Sequence, residues 1–239
     1  MTFRLVHFIK TLATGMSLTA AVVANASAAQ PNPHPTIRAM SGVGTLDHLD
    51  PKTTALIVID FQKEYSTGKM PIPDGAKAAE NAKKLIAFAD QNKMPVFQVQ
   101  HVTPAGSAVF AVDGDTVKFQ PGMEPRANDI LVKKDTVSVF SSANSFKPEL
   151  DKQLKAKGIK TVVIAGLMTH ACVAGAARDA APLGYNVVVA SDASATRDIT
   201  RANGDKINKD DLHRAALAEV EDTFGYVMKT AEIERLPLR

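Results

Sequence analysis

The chain is predicted to be an α/β protein with a mostly parallel central sheet flanked by helices. Strand-like and helix-like segments alternate along it, the strands read as unbroken apolar runs buried on both faces, and most connections are short. Composition agrees: among 239 residues, 45% hydrophobic and 22% charged, there is enough apolar mass for a sizeable core, which excludes a disordered or fibrous chain.

The elements follow in order. Thr53 to Asp60 (TTALIVID) is a continuous apolar run ending in an acid, as a central parallel strand requires. Over residues 75 to 92, Ala78, Ala79, Ala82, Leu85, Ile86 and Ala89 recur at helical spacing. Pro95 to His101 is the second strand. Residues 103 to 128, rich in Gly, Pro and Asp, form a long excursion expected to face the substrate. Asp129 to Asp135 is the third strand, and a helix with Phe146, Leu150 and Leu154 on one stripe is closed by Gly158. Thr161 to Ala165 is the fourth strand. An Ala-rich helix over 169 to 183 stops at Gly184, Tyr185 to Ser191 is the fifth strand, and a last helix carries Ala216, Leu217, Val220 and Phe224.

Ahead of this domain, residues 1 to 28 read as a signal peptide. Arg4 and Lys10 precede an uncharged stretch, Thr11 to Ala24, and Ala26-Ser27-Ala28 is a small-x-small cleavage pattern. The stretch is too short and too diluted with Thr, Ser and Gly for a membrane anchor. A periplasmic or secreted protein is expected, with no membrane association after cleavage. Residues 29 to 50 are expected to be an extended tail and 51 to 239 a single domain. The 28 basic and 25 acidic residues give +3; without Arg4 and Lys10, 26 against 25 leaves +1 and no basic patch for nucleic acid. The one cysteine, Cys172, excludes an intrachain disulfide and the usual Cys-based zinc sites.

In open α/β sheets the ligand crevice lies at the carboxyl ends of the strands. Asp60 ends the first strand, Lys134 the third, and Cys172 follows the fourth. Each has a bland reading: a turn acid, a solvated lysine, a small buried hydrophobe. Together they suit thiol chemistry. With Thr169 as N-cap, Cys172 falls in a first helical turn, where the dipole and Lys134 would lower its pKa, and Asp60 would accept its proton and later return one to a leaving amine.

The motifs ALIVIDFQKEY around Asp60, VKKDTVSVF around Lys134 and TVVIAGLMTHACVAGAARDAAPLGYNVVVASDASATRD around Cys172 resemble those of the isochorismatase-like cysteine hydrolase superfamily, in its metal-independent bacterial branch. The resemblance implies a Rossmann-like three-layer fold and a catalytic triad of Asp60, Lys134 and Cys172. Lys134 is chosen over Lys133 because the family pattern places Ser four residues later, met by Ser138, and strand alternation lets only one face the crevice. It also implies a cis peptide between Leu167 and Met168, with the Met168 and Cys172 N–H groups facing an oxyanion, and a homo-oligomer. Nicotinamidases of the superfamily use an Asp-x-His metal element; residues 61 to 75 contain no His, so no metal and no cofactor are expected.

The resulting expectation is an exported hydrolase of a small amide-type substrate, cleaving a C–N bond through a thioester. The alternatives are a vinyl-ether hydrolase of the isochorismatase type and a non-catalytic periplasmic ligand-binding or thiol-redox protein. Phe61, Gln62, Phe110, Phe140 and His170 are candidate pocket-lining residues. For Gln62 a structural hydrogen bond is the first reading, each Phe is by default core, and His101 is expected to orient a loop.

Overall fold

A computed structural model describes residues 33–239. The expected signal peptide and the beginning of the expected tail lie outside the described residues. Pro35–Arg239 forms one unit. The stretch before residue 51, expected to be extended, contributes one helical turn, α1 (Ile37–Met40), whose N-terminal Ala39 N–H is capped by the Thr36 hydroxyl at 3.1 Å. Leu49, fully buried, donates its backbone N–H to Pro237.

The apolar runs become strands for the reason anticipated. In β1 (Thr54–Ile59) every residue is buried, and alternate side chains feed two cores: Leu56 and Val58 on one face, Ala55, Ile57 and Ile59 on the other. The first core is covered by α2 (Gly75–Gln91), which contributes Ala78, Ala82, Leu85 and Ala89. The second is covered by α3 (Leu150–Ala156) and α4 (Ala174–Ala180). Leu150 and Leu154, both wholly buried, anchor α3, each worth about 2 kcal/mol of apolar transfer. Phe146 stands outside that helix and packs on the other core, because Pro148 cannot lie inside a helix and α3 begins after it.

Five more strands join β1: β2 (Val96–His101), β3 (Ile130–Lys134), β4 (Thr161–Leu167), β5 (Asn186–Ala195) and, after a small hairpin of β6 (Ile199–Thr200) and β7 (Lys206–Ile207), β8 (Tyr226–Met228). Their order is β3-β2-β1-β4-β5-β8, all parallel. Helix α5 (Lys209–Glu219) and a last turn, α6 (Thr230–Ile233), complete the three layers. The fold class expected from the sequence is therefore the one observed. The chain steps outward from β1 in one direction and returns to the other side of it at β4, so the switch point lies between the ends of β1 and β4. Gly166 makes that junction possible: at φ 154°, a Cβ there would lie 2.5 Å from the Ile59 carbonyl oxygen.

The excursion 103–128 is not a free loop. Val117, Phe119 and Met123 are buried, and Phe119 pairs with Gln62.

Candidate active site

Asp60 follows β1 at the switch point with a left-handed backbone (φ 56°), a conformation Asp tolerates better than most residues, and its N–H donates to Val99 at 3.0 Å. Its side chain is wholly buried. Lys134, at the end of β3, is two strand spacings of about 4.8 Å each from β1, so its side chain must cross the end of β2 to reach the same point. It does so with no exposure at all, while Lys133 points to solvent. Lys134 Nζ lies 2.8 Å from Asp60 Oδ2 and 3.4 Å from Cys172 Sγ. The three residues named from the sequence meet around one ammonium group.

Cys172 sits in a π-helical turn, Thr169–Val173, leading into α4. Its setting differs from the expected one. Met168, with extended backbone, occupies the cap position, and the Thr169 hydroxyl is engaged by His213 Nδ1 at 2.8 Å instead of capping the helix. The wide turn opens with Ala171 and Val173 both donating to the Met168 carbonyl. The Leu167–Met168 peptide is cis.

The electrostatics also correct an expectation. Burial, with the Asp60 charge adding to it, pushes the Cys172 thiol up to about 12, and Lys134 opposes this only in part. Burial thus favours the thiol over the thiolate. Burial alone would depress the Lys134 ammonium, but the facing Asp60 and Cys172 outweigh it and its pKa is raised. The wholly buried Asp60 carboxylate pairs with the Lys134 ammonium at 2.8 Å and also faces the Cys172 thiol. That leaves a buried acceptor beside a thiol proton.

The remaining candidates separate. Gln62 spends its side chain on structure, donating to the His101 and Val117 carbonyls and accepting from the His101 N–H. Phe61 is wholly buried core. Phe140 rests against Tyr185, at the amino end of β5, and so walls the far end of the sheet rather than the crevice. Phe110 is near the trio, its ring 4.9 Å from the His101 imidazole and 5.3 Å from Tyr65. His170 is tied to Thr196 Oγ1 at 2.7 Å, latching the Cys172 turn to the end of β5. Arg178, on α4, pairs with Glu219 at 2.6 Å and joins α4 to α5.

Three further residues stand near the trio, and of these the sequence singles out only His101. His101 Nδ1 lies 2.8 Å from Lys134 Nζ and accepts from the ammonium, which has only donors. Tyr65 is buried, and burial with the nearby Cys172 and Asp60 raises its hydroxyl pKa. Arg197 Nε is buried without a partner, and its charge acts on both Tyr65 and His170. For His101 a signal existed: it ends β2 directly opposite Lys134 in register. Among the described residues no group of three His, Cys, Asp or Glu is placed to hold a metal ion.

Comparison with known proteins places this geometry. Residues 54–232 match the isochorismatase domain family. An uncharacterized isochorismatase family protein of Bacillus subtilis, YddQ, is 36% identical over 184 residues, covering 74% of this chain and 97% of that protein. RutB of Caulobacter vibrioides, a ureidoacrylate amidohydrolase, is 27% identical over 221 residues, covering 78% of this chain and 92% of its own. The crystal structure of an isochorismatase from Pseudomonas putida superposes with a TM-score of 0.75 at 28% identity, covering 84% of this chain and 99% of the other.

Proposed function

The chain belongs to the isochorismatase family of hydrolases, and from that premise we propose that it cleaves the C–N bond of a small amide through a Cys172 thioester. The observation that carries this reading is the buried cluster of Asp60, Lys134 and Cys172. Because the resting sulfur is protonated, attack and deprotonation go together: Cys172 Sγ bonds to the amide carbon as Asp60 takes the thiol proton. The Lys134 ammonium offsets the negative charge passing through the site. The oxygen of the tetrahedral intermediate is received by the Met168 and Cys172 N–H groups. Asp60 gives its proton to the departing nitrogen, ammonia or an amine leaves, and a water that Asp60 deprotonates hydrolyses the thioester, restoring the thiol.

An amidohydrolase among the relatives supports a C–N bond over a vinyl ether. Arg197, with its unpartnered Nε near Tyr65 and His170, favours an amide that also carries an acidic group, since a half-buried guanidinium gains most from a carboxylate. Export after cleavage at Ala28 and self-association as a homo-oligomer belong to the same proposal, on the N-terminal pattern and the family respectively. The deciding experiment is ammonia release from a panel of small amides with and without a carboxylate, with Cys172→Ala as control. Release by the wild type alone supports the reading. Pyruvate release from a vinyl ether with no ammonia from any amide favours the isochorismatase-type reaction, and ligand-dependent thermal shifts in both proteins without turnover favour a binding protein.

A further inference from the structure

We propose that a cleft over β2, on the α2 face of the sheet, is a second binding site, for a small neutral molecule that presents a carbonyl and an N–H on one edge, as a lactam, a primary amide or a urea does. The cleft holds about 450 Å³ between α2 and residues 122–126 of the excursion, and no member of the trio lines it. From the sheet it receives Gln98, which shares the face of Val96 that packs toward α2. Gln98 is 1% exposed, yet its amide oxygen has no hydrogen-bond partner and no described residue bonds its nitrogen. A buried amide left unpaired is costly, and a molecule that pairs it recovers that cost on binding. One water, with about 30 Å³ of liquid volume, would leave most of the space unfilled. It would also leave Ile86, Ala87, Met123 and Pro125 as apolar walls without contact.

A primary amide offers an acceptor and a donor side by side, and their complement is the donor and acceptor of a second cis amide, joined by a pair of hydrogen bonds. A half-turn of the Gln98 amide exchanges its ends, and the bound edge turns with it. The charges at the rim argue for a neutral ligand because they are already matched. Arg126 is engaged by Asp90 and Asp129, Lys83 by Glu80, and Glu124 Oε2 accepts the Gly122 N–H at 2.7 Å. The same contacts hold the walls in place. The Arg126 pair with Asp90 ties the excursion to α2, and Gly122, at a left-handed φ of 79°, passes so near the helix that a Cβ there would lie 3.3 Å from Lys83 Nζ. Walls fixed before the ligand arrives need little ordering when it binds.

The test follows isotope-labelled methionine methyl groups by NMR, with the Met123 signal identified by its loss in Met123→Leu. Met123 lines the cleft, whereas Met168, at the start of the Cys172 turn, reports the catalytic centre separately. The probes are the bicyclic lactam carbostyril and N-methylcarbostyril, which keeps the rings and the carbonyl but has no N–H. The proposal expects carbostyril to move the Met123 signal saturably, with affinity about tenfold weaker for the N-methyl compound and about tenfold weaker for carbostyril itself in Gln98→Leu. Equal affinity for the two lactams overturns it, as does undiminished binding to a folded Gln98→Leu. So does movement of Met168 alone, or a Met123 signal unmoved at the solubility limit, which would mean that water alone serves Gln98. Should Gln98→Leu fail to fold, the two lactams on the wild type decide. No step requires an amide to be cleaved, so failure of the function proposed above leaves this site still to be judged by its own signals.

Discussion

Asp60 and Lys134 act in opposite senses on the sulfur between them, so removing each should separate chemistry from reactivity. Asp60→Asn should lower amide turnover by about 10²- to 10⁴-fold through loss of the base. Its thiol should nevertheless be alkylated by iodoacetamide at pH 7 faster than that of wild type, because the charge that helps push Cys172 up to about 12 is gone while Lys134 remains. Lys134→Ala should slow alkylation and also destabilise the fold by about 3–5 kcal/mol, read as a lower urea midpoint, because it strands a wholly buried carboxylate. Alkylation of wild type faster than of Asp60→Asn would contradict a neutral resting thiol. Beside Tyr65 and His170, Arg197→Met should raise KM for a carboxylate-bearing amide by roughly tenfold or more with kcat little changed, and leave an uncharged amide unaffected, as loss of one charge-assisted contact predicts.

The junction of β1 with β4 is the element on which the trio depends. In Gly166→Ala the added methyl meets the Ile59 carbonyl at 2.5 Å, and Ile59 is the residue before Asp60. A cost of about 1–3 kcal/mol is expected, seen as a lower thermal midpoint, with a loss of activity larger than stability alone explains because the ends of the two strands are pushed apart. The same elements show what the sequence makes legible. Strands such as β1 and β4 are readable because burial on both faces writes them as unbroken apolar runs, and those runs place Asp60 after the first and the Cys172 turn after the second. Strand β8 is not readable, since Tyr226–Met228 is three half-buried residues at a sheet edge. Nor is the π-helical turn, because widening a turn by one residue leaves no compositional mark, and it is this turn that removes Thr169 from the cap. His101 was visible as a strand end, but its bond to Lys134 depends on register between β2 and β3, which no local pattern carries.

For the molecule as a whole, stability should fall at both extremes of pH, for different groups. His101, His170 and His213 are each held below the ordinary histidine pKa, first by burial. The unfolded chain therefore binds protons below about pH 6.5 that the folded chain refuses, and stability drops as pH falls through that range. Cys172, Tyr65 and Lys134 are raised, so the folded chain keeps protons the unfolded chain has lost, and stability declines again as pH rises beyond about 9. Urea midpoints measured across pH should trace a plateau between these limits; a midpoint unchanged from neutrality down to pH 5 would contradict the histidine assignment. Export predicts that natively produced protein begins near Ala29 and fractionates with periplasmic markers, and light scattering should give a multiple of the mature chain mass. Full-length protein in the cytosol, or a single-chain mass, would refute the respective part.

The edge-on row of rings from Tyr65 through Phe110 to His101 has an optical consequence. The chain contains no tryptophan and three tyrosines, so no indole dominates its near-ultraviolet signal. Of the three rings, Tyr65 is the one wedged beside the trio, while Tyr185 lies against Phe140 and Tyr226 beneath the Arg38 guanidinium, 4.4 Å from ring centre. A molecule bound beside the trio would disturb the asymmetric surroundings of one chromophore in three. Near-ultraviolet circular dichroism can therefore watch the site fill in the unlabelled protein, before any product is known.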